Sequence, residues 1–139
     1  MTKRLLLMFV VCTVMSSCAL ATDWQAQWIW MAQDETSDMM LARKTFSLSS
    51  IPAQAHLSLT ASSQYELFVN GVYIGRGPAR CAPHHQSFDR LDVTHALRKG
   101  QNCLAVRVHY QREGVSFYSP SRAGLLVRLD GLPAAPQSE

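Results

Sequence analysis

Along most of this chain, apolar residues recur at every second position rather than every third or fourth. Successive side chains leave a strand on opposite sides, so this period predicts short, half-buried β-strands. Residues 42–48 form a first clear run. In 55–61, Leu57 and Leu59 share one face, with Ser58 and Thr60 on the other. Runs 65–69 and 72–74 flank Asn70-Gly71, two residues that tolerate positive φ and therefore predict a two-residue hairpin turn. Further strands are expected over 85–91, 102–110 (Leu104, Val106 and Val108 inward) and 123–129, with a short opening strand at Trp28-Ile29-Trp30. Asp92 and Thr94 can start a helical turn and Gly100 can end it. Arg98 and Lys99 would sit in its last turn, so a short helical connector is expected near 92–99.

Seven or eight short strands separated by turn signals predict an all-β fold, an antiparallel jelly-roll β-sandwich over residues 22–131. The loop Gly75-Arg76-Gly77-Pro78 follows a hairpin and lacks a surrounding βαβ unit, so it is not a nucleotide-binding loop. Its glycines are expected to permit close backbone approach or positive φ at a sharp corner. Residues 132–139 have the Pro- and polar-rich composition of a linker.

The first 21 residues follow a different pattern. Lys3 and Arg4 precede the apolar run 5–14, which is too short to cross a bilayer, and Ala19-Leu20-Ala21 is a small-x-small cleavage site. Residues 1–21 are therefore expected to be an export signal, giving a periplasmic or secreted protein. Met15-Ser16-Ser17-Cys18 also resembles a bacterial lipobox, which would anchor the chain by lipid at Cys18. The formal charge of the whole chain is +3, and two of those positive charges belong to the signal. What remains is too weakly basic to argue for nucleic acid. Cleavage leaves Cys81 and Cys103, which an exported chain could join, or keep as two thiols.

A set of landmarks then falls in a recognisable order. Trp24-x-Ala-x-Trp28-Ile-Trp30 is followed by Phe46, by Ala55-x-Leu-x-Leu-x-Ala61, and by Tyr65-Glu-Leu-Phe-Val-Asn-Gly71. Ile74-Gly-Arg-Gly-Pro-Ala-Arg80, Phe88-Asp-x-Leu-Asp-Val-Thr94 and Leu97-x-x-Gly-x-Asn-x-Leu-Ala-Val-x-Val108 complete it. The series resembles the N-terminal β-sandwich of bacterial α-L-rhamnosidases, glycoside hydrolase family 78. The hairpin and Asp-Val-Thr pieces also occur in galactose-binding-like sandwiches of other glycosidases. Trp-Ile-Trp together with Gly-Arg-Gly-Pro favours the rhamnosidases. The structural landmarks are Trp28, Trp30, Asn70, Gly71, Gly75, Gly77, Pro78, Asp92, Gly100 and Asn102. The resemblance implies a non-catalytic accessory domain whose partner is a downstream catalytic (α/α)6 barrel, on the same or a longer polypeptide. The chain would then be the front end of a longer enzyme or a solitary module, with a structural interaction domain or a lectin-like lipoprotein as alternatives.

The residues themselves agree with a non-catalytic part. Glycoside hydrolysis needs two carboxylates set across a sugar. Asp34, Glu35 and Asp38 cluster in a polar loop, Asp92 has a capping role, and Glu66 lies on the outward side of its strand. No Gly-x-Ser-x-Gly motif is present. His84-His85 would point to opposite faces of a strand, so no metal site and no cofactor are expected. Sugar binding calls for aromatic faces and planar polar donors. Arg76, Arg80, Tyr110, Phe117, Tyr118 and Arg122 are the candidate contacts to a rhamnose-containing oligosaccharide, with the loop between the last two strands favoured. Both tryptophans of Trp-Ile-Trp are expected to pack instead, inside the fold or against a neighbouring domain.

Overall fold

The alternating runs become seven strands in a computed structural model, which describes residues 24, 26–31, 37–113 and 121–131. The expected signal at 1–21 with Cys18, the tail at 132–139, and the candidates Phe117 and Tyr118 lie outside the described residues. The strands are β1 (Met39–Leu48), β2 (His56–Ser62), β3 (Gln64–Val69), β4 (Val72–Gly77), β5 (Asp89–Asp92), β6 (Gly100–His109) and β7 (Gly124–Asp130). They form two antiparallel sheets, β1-β6-β3-β4 and β5-β2-β7. The inward faces meet in one core, where Leu57 and Leu59 of the smaller sheet oppose Leu67, Val106 and Val108 of the larger. This is the burial that the period-two pattern encodes.

Four expectations change in detail. The strand expected over 85–91 shrinks to β5, because the backbone before it is bonded elsewhere. The His85 amide donates to the Ala82 carbonyl at 2.9 Å, closing a turn, and the Ser87 carbonyl accepts from the Thr60 hydroxyl at 2.7 Å. His84 and His85 consequently sit in a turn, not on a strand, with their rings edge to face. The expected opening strand is a single bridge, in which Ile29 and Leu125 exchange two hydrogen bonds of 2.9 Å. The helical connector contracts to one 3-10 turn, Thr94–Ala96, leaving Arg98 and Lys99 beyond its end. Asp92 Oδ1 accepts from the Thr94 amide at 2.9 Å and from its hydroxyl at 2.6 Å, which spends the capping group on a local turn. In compensation, β4 runs on through Gly77 where a loop was expected.

The polar side of β2 is buried as well. Ser58 and Thr60 are buried like the adjacent Leu57 and Leu59, with Thr60 held by the β4–β5 connection through Ser87. Beside this, an amide hub ties the β3–β4 turn to β6. Asn70 takes φ 52° and Gly71 φ 83°, as the hairpin signal requires. The Asn70 side chain donates to the Ala96 carbonyl and to Asn102 Oδ1, both at 2.8 Å, and accepts from the Cys103 amide at 2.9 Å. Asn102, 1% exposed, also donates to the carbonyls of Arg98 and Gly100 and accepts from the Arg98 amide. Gly100 takes φ 85°, a conformation in which an L side chain is strained. Four landmarks scattered over 33 residues of sequence thus form one structural joint, with every buried amide group partnered.

Candidate functional site

The β3–β4 hairpin places Gly77 opposite Tyr65 in the ladder. Across the gap between the sheets stands Asp89, the first residue of β5. The Tyr65 hydroxyl donates to Asp89 Oδ2 at 2.5 Å. A Cβ on Gly77 would lie 2.0 Å from that oxygen and 2.9 Å from the Tyr65 hydroxyl, so this glycine serves close approach rather than positive φ. Gly75 has no such duty, since a Cβ there would make ordinary contact with Leu91 at 3.6 Å. Burial, reinforced by the hydrogen bond and charge of Asp89, pushes the Tyr65 hydroxyl far above the tyrosine value of 10.0.

Around this bond lies a charged cleft of about 770 Å³, bordered by Glu66, Arg76, Arg80, Arg107 and His109, with Met39 and Pro78 as its main apolar members. Two of the six predicted ligand contacts, Arg76 and Arg80, meet here. Two carboxylates meet here too, and both are engaged: Glu66 accepts from Arg107 in an ion pair across the sheet, and Asp89 from Tyr65. Sequence reasoning missed Asp89, because its partners lie 24 and 12 residues away on other strands and no local spacing announces them.

The other described candidates sit elsewhere. Tyr110 is taken up in packing: its ring meets Trp30 edge to face at 5.9 Å, its hydroxyl donates to the Ser121 carbonyl at 2.6 Å, and the Arg112 guanidinium lies 5.6 Å from the ring centre. Arg122 lines a separate depression with Trp28, Trp30, Pro83 and Gln86. Trp30 packs against the core as expected, whereas Trp28 is 49% exposed.

A third concavity is the mouth of the sandwich between β1 and β7. It measures about 750 Å³ and is lined by Ala42, Phe46, Leu104, Leu125, Val127 and Leu129 among others, with Arg43, Lys44 and Arg128 also at its border. Among the described residues, no three His, Cys, Asp or Glu side chains are grouped to hold a metal. Cys81 and Cys103 are both half-buried free thiols, and Arg43 Nε donates to Cys103 Sγ at 3.1 Å.

Comparison with known proteins narrows what such a sandwich belongs to. Over 101 residues, 63% of the chain, it is 29% identical to an α-L-rhamnosidase of Formosa agariphila, of which the match covers 11%. The family 78 rhamnosidase of Bacillus sp. GL1 superposes on 78% of the chain with a TM-score of 0.72 and 37% identity, using 12% of its own length. The chain matches a small part of the family 78 α-L-rhamnosidases. The α-L-rhamnosidase of Dictyoglumus thermophilum shares the fold, with a TM-score of 0.65 and 22% identity over 77% of this chain and 14% of that one. No family model matches. The match takes in well over half of this chain and leaves most of each relative's length without a counterpart here.

Proposed function

We propose that this chain is a non-catalytic accessory domain of an exported α-L-rhamnosidase-like glycoside hydrolase. In this reading it is a jelly roll of the galactose-binding type that seats on a catalytic (α/α)6 barrel and contacts rhamnose-containing glycan. The observation that carries the reading is the open mouth between β1 and β7. Its wall is apolar, and its border carries Arg43 and Lys44, with Arg128 beside them already paired with Asp130. A groove of that composition, apolar within and charged around, has the anatomy of a protein interface. The relatives are built from far more chain than this segment, and in this reading part of that additional chain fills the groove. A complementary partner surface would present an apolar ridge with acidic flanks.

The test mixes this chain with the catalytic region of the Bacillus sp. GL1 rhamnosidase prepared without its matching segment. A one-to-one complex is expected by sedimentation, and Ala42→Glu in the groove abolishes it. Absence of a complex for the unmodified chain would remove the docking role. The chain alone is expected to release nothing from an aryl rhamnoside. Turnover that Glu66→Gln or Asp89→Asn abolishes would show that the charged cleft is catalytic. Export rests on the basic, apolar and small-residue sequence of the first 21 positions. Mass spectrometry of the secreted chain is expected to find Thr22 first, or a lipid on Cys18.

A further inference from the structure

Trp28 is the largest exposed aromatic side chain among the described residues, and its exposure is built rather than accidental. Its six-membered ring lies on the backbone of Gly124, where a Cβ would stand 2.7 Å from Trp28 Cε3 and 3.2 Å from Cζ3. Any other residue at 124 would displace the indole. The Cε3 side of the ring is thereby seated against β7, while about half of the side chain remains open to solvent. The bridge between Ile29 and Leu125 holds the two chain segments together immediately next to this contact.

The depression beside the ring has a volume of about 610 Å³, within the range of small-molecule sites. Arg122, Gln86 and Ser121 line it, and so do the apolar Ile29, Pro83 and Ala123. Gln86 is exposed, and its amide nitrogen makes only a long 3.5 Å bond to the Ala61 carbonyl, so most of its bonding capacity faces outward. Among the described residues, no carboxylate lines the depression. This contrasts with the charged cleft at Tyr65 and Asp89, which offers no exposed aromatic face because Tyr65 is buried.

From this we infer that Trp28, backed by Gly124 and flanked by Arg122 and Gln86, is a stacking platform for a neutral 6-deoxyhexopyranoside. The C–H face of the pyranose lies on the indole. Ring hydroxyls accept from the Arg122 guanidinium, and both donate to and accept from the Gln86 amide. The apolar members of the lining receive the C6 methyl group, where a C6 hydroxyl would be desolvated without a partner. The choice of sugar rests on the accessory-domain reading, whereas the platform itself rests on Trp28 and Gly124.

The experiment titrates the full chain with methyl α-L-rhamnoside, following indole fluorescence and the side-chain Nε1–H signals by NMR. Methyl α-L-mannoside, which differs by one hydroxyl at C6, is the comparator. Saturable millimolar binding of the rhamnoside is expected, roughly tenfold tighter than the mannoside. Trp28→Ala should weaken it by at least about tenfold and Arg122→Ala by several-fold, with the unfolding midpoint of each variant close to that of the parent. Gly124→Ala, which shifts the ring without removing it, should also weaken binding. Ala42→Glu, in the β1/β7 groove that shares Ile29 alone with this depression, should leave sugar binding intact, which separates the two sites. Rhamnoside binding that is insensitive to Trp28→Ala would overturn the platform while leaving glycan contact in place. No binding of either sugar would overturn the platform too, with docking still decided by its own assay. If Trp28→Ala destroys the complex with the catalytic region and sugar has no effect, the indole is an interface residue and the platform is equally refuted.

Discussion

Between β4 and β5 the sandwich is closed by a polar bond, while between β1 and β7 it is open over apolar side chains. Both gaps are unavoidable where two sheets of unequal width face each other. On the β4/β5 side the solution is local and complete: Tyr65 crosses from one sheet, Asp89 meets it from the other, and Gly77 makes room. On the β1/β7 side Ala42, Phe46, Val127 and Leu129 line a groove with no comparable crossing bond among the described residues. The difference teaches that the same core can end either in a polar seal or in an apolar groove, depending on a few residues at its rim.

The sharpest way to break the seal is Gly77→Ala. The added methyl cannot coexist with Asp89 Oδ2 at 2.0 Å, so the bond must open, and a loss of about 2–3 kcal/mol is expected in denaturant melts. Gly75→Ala, two residues earlier in β4, should change stability by less than about 1 kcal/mol, because its methyl finds ordinary contact. Equal effects at the two positions would show that Gly77 does not guard the Tyr65–Asp89 bond.

Tyr65→Phe comes next, with an expected cost of about 2 kcal/mol for removing a hydrogen bond to a carboxylate. It also changes the pH profile. The folded chain holds the Tyr65 proton well above 10.0, whereas the unfolded chain releases it near that value. This contribution to stability is therefore intact below pH 10 and is lost progressively as pH rises above it. Urea midpoints compared at about pH 8 and about pH 11 should fall more steeply for the parent than for the phenylalanine variant.

At the open side the expected effect on the isolated chain is the smallest. Ala42→Glu is half-exposed at the groove and should shift stability by no more than about 0.5 kcal/mol, even though it abolishes docking. A large loss of stability in the isolated chain would mean that the mouth is part of the core and not a surface awaiting one.

How far the sequence could be read follows the same division. Period two located all seven strands, and Asn70-Gly71 located the hairpin, since both signals are local. The strand at 85–91 was overestimated because Thr60 withdraws the Ser87 carbonyl from any ladder, a contact spanning 27 residues. The connector at 92–99 was overestimated because Asp92 and Thr94 bond to each other and to the chain at Ala55. Of the described binding candidates, Arg76 and Arg80 converge on one cleft, Arg122 lies in another, and Tyr110 is spent on packing. Trp28 was expected to pack. Part of it does, on the backbone of Gly124 almost a hundred residues away, and the rest is exposed.

The open mouth also makes the chain's robustness conditional on its surroundings. A partner that occupied the groove in the folded form alone would add to the folding free energy as the logarithm of the ratio of its concentration to its dissociation constant. When both parts belong to one polypeptide, that effective concentration is permanently high. The resistance of the sandwich to heat or proteolysis would then be a joint property of two domains, and a change in the groove could be felt first as shortened lifetime of the whole protein.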